Sequence, residues 1–257
     1  MSRTDSGPAG SRRPASHQAA VRRHSDQPGF VLHMYPYSES SLIIESFTRD
    51  HGRVPLLAKG AKRPRSALRG VLMQFQRVGL SWTGKGDLRN LTGAEWLGGV
   101  PTLGHPALFC GFYLNELVLK LLQRDDPHER LFDCYESALM QLGSGARGAD
   151  VLRVFEKELL REIGYAIDLT IDAVSGEPVE PQGRYAYLPE QGLRRLQDGE
   201  KAERELGGAD ALAIARDDFS DPQTANLAKQ LMRTLIERQL NGRRIATRLI
   251  FSALQQT

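Results

Sequence analysis

From Phe30 to Trp96 apolar residues come in short runs, alternate with polar ones and stop at turn-forming residues, which is the pattern of strands. Phe30 to Tyr35 reads as a first strand, Leu42 to Thr48 as a second and Arg53 to Lys59 as a third, with Asp50-His51-Gly52 turning between the last two. In Phe75 to Thr83 one face holds Gln76, Val78, Leu80 and Trp82, and the other holds Arg77, Gly79, Ser81 and Thr83. Gly84-Lys85-Gly86-Asp87 is a hairpin turn, and Leu88 to Trp96 is a fifth strand. Five short antiparallel strands in about 70 residues predict a small closed barrel of OB type. An SH3-like barrel fits the strand count nearly as well.

From about His105 the period becomes helical. Phe109, Tyr113, Leu117 and Leu121 lie on one row and Cys110, Leu114, Val118 and Leu122 on the next, so this helix has a wide apolar face and is deeply buried. Leu131, Tyr135, Leu139 and Leu142 mark a second helix. Leu152, Phe155, Leu159 and Ile163 mark a third, which Gly164 terminates. Ile167 to Gln197 is irregular, with a short strand at Tyr185 to Leu188. Leu227, Leu231, Leu235 and Leu240 mark a helix stopped by Asn241-Gly242, and Ile245, Leu249 and Phe251 belong to a last one. The expected fold class is α+β in two domains: a barrel over 29–100 and a mostly helical domain over 101–257, with an irregular insertion at about 166–200.

Composition changes this picture at the front of the chain. Residues 1–28 are rich in Ser, Ala, Arg, Gly and Pro and have no aliphatic run, so they read as a disordered tail without a secretory signal. Their Arg12, Arg13, Arg22 and Arg23 either add non-specific attraction to DNA or belong to a dispensable extension. No apolar run approaches the roughly 20 residues of a membrane span, and a cytoplasmic protein is expected. The formal net charge of +3 hides an asymmetry. Residues 1–90 hold 15 Lys and Arg against 6 Asp and Glu, a net of +9, and the remainder holds 19 against 25, a net of −6. Polyanion binding is therefore expected in front.

Catalytic chemistry finds little support. Gly79 to Lys85 matches the spacing of a phosphate-binding P-loop, but Gly86 stands where a Ser or Thr hydroxyl would hold magnesium, and the text reads as a hairpin rather than a helix start. Cys110 and Cys134 have no nearby Cys or His at metal spacing and read as core thiols. The six histidines form no local metal or triad pattern. No enzyme activity and no cofactor are expected.

The strongest chemical signal lies between the third and fourth strands. Lys59, Lys62, Arg63 and Arg65 fall within seven residues, Arg69 follows, and small or turn-forming residues separate them. Arg77, Lys85 and Arg89 come next, with Tyr35, Tyr37, Phe47, Phe75 and Trp82 interleaved. Single-strand binders need cations for phosphates and rings for bases. The same cations suit an ordinary basic surface, while Phe47, Phe75 and Trp82 suit a barrel core, leaving Tyr35 and Tyr37 as the better exposed rings. A second signal is the row Arg153, Lys157 and Arg161 beside Leu152, Phe155 and Leu159. Such a ridge suits an acidic peptide with an apolar tip. From the residues alone a solvated helix face is the simpler reading, since Glu156, Glu158 and Glu162 lie nearby.

These segments resemble the RecO family of bacterial recombination mediators. The resemblance runs from Phe30 to about Gln255 and rests on Ser38-Glu39-x-Ser41, Phe47-Thr48, Gly52-Arg53, Ala58-Lys59-Gly60-Ala61, LMQF at Leu72 to Phe75, YLNEL at Tyr113 to Leu117, LRVFEKELLREIGY at Leu152 to Tyr165 and SGEPV at Ser175 to Val179. It implies an N-terminal OB domain, a helical C-terminal domain and no covalent catalysis. It also implies binding of single- and double-stranded DNA and annealing of complementary strands, including those coated by single-strand-binding protein (SSB). Together with RecR it implies loading of RecA, in the RecF pathway of repair, at the nucleoid. By position, Arg53, Lys59, Lys62, Arg63, Arg65 and Arg69 would be phosphate contacts, and Arg153 would meet the acidic C-terminal tail of SSB. Some members carry a four-cysteine zinc module that begins just after the third helix. Here that stretch is Asp172 to Gly176, the ligands are missing, and no zinc is expected. A generic OB coat protein, or an adaptor for the SSB tail without annealing, are the rival readings.

Overall fold

A computed structural model describes residues 23–189, 191–202 and 204–248. Its first five strands are β1 (Arg23–Pro36), β2 (Leu42–Thr48), β3 (Gly52–Ala58), β4 (Arg77–Thr83) and β5 (Arg89–Trp96). They close in the order β1-β2-β3-β5-β4, with β4 returning to β1, around Val31, Ile44, Val54, Leu56, Val78, Leu80 and Trp82. This is the OB-type barrel, and a four-residue helix, α1 (Leu68–Val71), lies between β3 and β4. One expected feature is corrected: β5 pairs with β3 in parallel, at Leu56↔Arg89 and Leu57↔Asn90, so the strands are not all antiparallel. An alternating pattern identifies a strand but carries no sign of its direction relative to a neighbour distant in sequence.

The tail boundary is also corrected. Arg23 to Pro28 belong to β1 and pair with β4, at Arg23↔Thr83, His24↔Trp82 and Gln27↔Leu80 around a bulge. Backbone pairing holds this half of the strand, so it needs no aliphatic run to be a strand. Arg12, Arg13 and Arg22 lie outside the described residues.

The helical domain comprises α2 (Ala107–Leu121), α3 (Glu129–Gly143), α4 (Gly148–Glu162), α5 (Gly208–Ala215) and α6 (Pro222–Gln239). Gly164 takes φ +86° after α4, and Tyr165 N–H donates to Leu160 O at 2.7 Å while Gly164 N–H donates to Arg161 O at 3.0 Å, a Schellman ending. At the start of α6 the Asp221 carboxylate accepts from Thr224 N–H at 2.8 Å, with Pro222 in the first turn. The insertion contains a three-stranded sheet ordered β7-β6-β8, from β6 (Arg184–Leu188), β7 (Gly192–Arg195) and β8 (Glu205–Gly207). The sequence reading has one of these strands and lacks α5. The expected last helix reaches beyond the described residues, but Ile245 at its start is buried.

The two domains share a core. Phe30 and Phe47 lie 5.5 and 5.4 Å from the ring of Phe132 on α3, and Phe75 lies 5.1 Å from Phe112 on α2. Phe47 and Phe75 are thus buried between barrel and helices, while Trp82 fills the barrel itself. Asn115 Nδ2 donates to Leu32 O at 2.9 Å and its carbonyl accepts from Tyr135 OH, so this buried amide is paired at both ends. The β2–β3 turn seats against the segment after α2: a Cβ on Gly52 would lie 1.9 Å from Asp126 O.

Candidate nucleic-acid interface

The barrel register decides which predicted site residues meet. Pro36 pairs with Leu42, and Leu42 with Ala58, so the end of β1, the start of β2 and the end of β3 lie side by side. The loop carrying Lys59, Lys62, Arg63, Arg65 and Arg69 leaves from that point. Lys62 N–H donates to Ser40 O at 2.9 Å and its ammonium to Ser38 O at 3.0 Å, which ties the loop to the β1–β2 turn. Tyr35 and Tyr37 flank this junction and are 45% and 58% exposed, enough to offer a ring face. Gly60 turns at φ +70° and Ala61 is buried, which lets the backbone fold back while the cations point outward.

None of these five cations has a carboxylate partner among the described residues, whereas Arg53, Arg77 and Arg89 of the barrel each pair with one. All five are exposed. Unpaired ammonium and guanidinium groups on one loop hold a positive potential that paired ones cancel.

Arg53 is corrected as a phosphate contact. Its side chain is buried, Nη2 donates to Glu45 Oε2 at 3.0 Å, and Nη1 donates to the Leu119 and Leu122 carbonyls at 2.8 and 2.9 Å. Those carbonyls end α2, so Arg53 caps that helix and pins the barrel to it. Arg124 donates to the second oxygen of the same Glu45. Arg77 pairs with Glu136 of α3 at 3.1 Å, across the domain boundary, and Arg89 pairs with Asp125 at 2.7 Å. Lys85 is exposed at the tip of the β4–β5 hairpin. Parallel pairing of β3 and β5 puts that hairpin beside the start of β3, roughly 20 Å from the cation loop by strand rise. Lys85 is therefore not part of the loop cluster, and Arg89, which lies beside Leu56, is turned away from it to Asp125. They line a separate cleft with His24 and His51, where the two imidazoles are hydrogen-bonded at 3.1 Å and His24 stacks on Trp82.

The row on α4 exists, but its charges are committed. Arg153 Nη2 donates to Glu156 Oε1 at 2.8 Å, and Glu156 is fully buried. Tyr113 OH donates to the same oxygen at 2.6 Å, and Arg248 donates to the tyrosine oxygen at 2.7 Å, with its guanidinium 5.3 Å from the ring centroid. Burial pushes the Glu156 carboxyl above its usual range, and Arg153 and Tyr113 pull it back only in part. Lys157 is corrected as a ligand group. Its ammonium donates to the Ile214 and Ala215 carbonyls at 3.0 and 2.9 Å and pairs with Asp217, so it caps α5. Arg161 is half exposed and pairs with Glu158 at 2.8 Å. Sequence reasoning missed Tyr113 and Arg248 as neighbours of Arg153, because they come from α2 and from the chain after α6.

In the stretch where the resemblance would put a zinc module, Asp172 organises the turn. It is buried, and its carboxylate accepts from the N–H groups of Val174, Ser175 and Arg195 at 2.8, 3.4 and 3.1 Å. Burial alone would raise its pKa, but the backbone donors outweigh that and hold it below the ordinary value. The signal was in the text: Asp172 stands three residues before Ser175-Gly176, and an Asp side chain there can accept from the backbone two residues on.

Comparison with known proteins agrees with this architecture. Residues 23–100 match the family described as Recombination protein O N terminal, and residues 106–248 match Recombination protein O C terminal. The chain is 50% identical over 238 residues to the DNA repair protein RecO of Ralstonia nicotianae, covering 92% of this chain and 87% of that protein. It is 49% identical over 234 residues to that of Dechloromonas aromatica, covering 90% and 96%. The barrel joined to a helical domain, matched along both halves at this identity, makes the chain a member of the RecO family of DNA repair proteins.

Proposed function

We propose that this protein is a recombination mediator that holds single- and double-stranded DNA on the loop of Lys59, Lys62, Arg63, Arg65 and Arg69, and anneals complementary strands without covalent chemistry. The observation that carries the reading is that these five cations are exposed, adjacent and without a carboxylate partner, beside two exposed tyrosines. Two DNA strands repel each other. A cationic surface that holds one strand lowers the repulsion felt by the second and raises its local concentration. Phosphates carry no base identity, so annealing of this kind is indifferent to sequence.

Family membership supports the rest of the reading: action on strands coated by SSB, cooperation with RecR, and loading of RecA in the bacterial cytoplasm. For the acidic SSB tail, the supporting feature is Arg153, held in place by buried Glu156, with Arg248 beside Tyr113. The resemblance by position, not free charge, makes Arg153 the centre of that contact, since its guanidinium is itself paired with Glu156.

The test is annealing of complementary oligonucleotides, naked and coated by the cognate SSB, without nucleotide triphosphate. The quadruple variant Lys59→Ala, Lys62→Ala, Arg63→Ala, Arg65→Ala is expected to lose annealing of both substrates. Arg153→Ala is expected to keep annealing of naked strands and lose that of coated ones. Tight binding by wild type with no annealing of either substrate would instead favour a coat protein or adaptor.

A further inference from the structure

An apolar cleft opens within the cation loop. Met34 from β1, Leu42 from β2, and Leu68 and Leu72 from α1 and its end line a space of about 340 Å³, bounded by Lys62 and Arg69. Met34, Leu42 and Leu68 are only partly buried, so the cleft communicates with solvent at the surface where the free cations stand. Phosphate binding alone gives no reason for an open apolar recess there, and a duplex, with its bases stacked inside, has nothing to put into it.

We propose that this cleft receives an unstacked nucleobase of single-stranded DNA while Lys62 and Arg69 hold the flanking phosphates. The occupant follows from charge and shape together. Cations spread from Lys59 to Arg69 complement a repeating anion, and the recess among them complements a flat apolar group attached to that same anion. An acidic peptide with one apolar tip would use the recess but would not need cations along eleven residues of loop. Base capture also suits annealing: it holds a strand with its bases separated, and the base is released when a complementary strand restores stacking. The inference rests on the reading of the loop as a DNA surface.

Binding of a single-stranded oligonucleotide and of an abasic oligonucleotide of equal length and charge tests it, with the full chain and two variants. The expected result is that wild type binds the base-bearing strand several-fold more tightly than the abasic one. Leu68→Gln, on a half-exposed site of the short helix, is expected to narrow that gap while leaving abasic binding and its salt dependence unchanged. A 2-aminopurine placed in the strand is expected to brighten on binding wild type and less on binding Leu68→Gln. Equal affinity of wild type for both strands, with both lowered by Lys62→Ala plus Arg69→Ala, would overturn the base pocket and leave the phosphate surface intact. Unchanged binding of both strands by that double variant would overturn the DNA surface and the pocket with it. Displacement of the strand by an acidic, apolar-tipped peptide whose own binding Leu68→Gln abolishes would assign the cleft to a protein and overturn the proposal.

Discussion

Replacing Arg53 by Ala would leave Glu45 buried beside a single half-exposed arginine and two carbonyls at the end of α2 without their donor. Breaking a buried pair from one side costs about 3–5 kcal/mol when the remaining charge has no counter-ion, and Arg124 keeps the loss at Glu45 toward the lower end of that range. The expected outcome is a large fall in thermal stability with no specific change in the salt dependence of DNA binding by the protein that remains folded. A variant that folds as well as wild type and binds DNA more weakly would return Arg53 to the phosphate surface. At this scale the sequence is least informative. Arg53 and Lys59 are two cations at opposite ends of one strand, and nothing local distinguishes the one that turns into a domain boundary from the one that turns out. Their partners, Glu45 and the end of α2 for Arg53 and none for Lys59, are set by tertiary packing. Lys157 repeats the lesson: its row on α4 was legible, but its acceptors come from α5, far along the chain.

Elements were more legible than partners. Period-2 and period-3.6 patterns located the barrel strands and the helices α2, α3, α4 and α6, because each buries one face whose spacing is visible in the text. The parts that were missed are short or lack an apolar face: the front half of β1, the strands β7 and β8, and α5 between glycines and Asp217. The insertion is held in part by one carboxylate, and that makes an element-scale prediction. Asp172 is held below its ordinary pKa, so its contribution is fully present above the unfolded value near 4 and is lost as pH falls through the folded one. Amide exchange at Val174, Ser175 and Arg195 is expected to be slow at pH 7 and to accelerate, relative to intrinsic rates, on acidification below about 4. In Asp172→Asn exchange at these amides is expected to be faster at pH 7 and to lose that acid-dependent step. Identical protection of wild type and Asp172→Asn across this range would remove Asp172 as the organiser.

For the whole molecule, the consequence of these contacts is a barrel and a helical domain built as one unit, with five adjacent cations on one loop left without carboxylate partners. Phe30, Phe47 and Phe75 are shared with the helices, and Arg53 and Arg77 tie charges across the same boundary. Arg49, Arg53, Arg77 and Arg89 are consumed in ion pairs, which is why the net charge of the front half overstates the DNA surface. The central claim is that Lys59, Lys62, Arg63 and Arg65 carry phosphate binding while paired cations do not. The most direct measurement is the slope of log affinity against log salt for a single-stranded oligonucleotide. The loop quadruple variant is expected to lower that slope by about 3, at roughly 0.7 per phosphate contact. Arg77→Ala plus Arg89→Ala is expected to leave it unchanged. A quadruple variant with the wild-type slope, or an equal fall in the paired-cation variant, would contradict the assignment of DNA binding to the free charges of this loop.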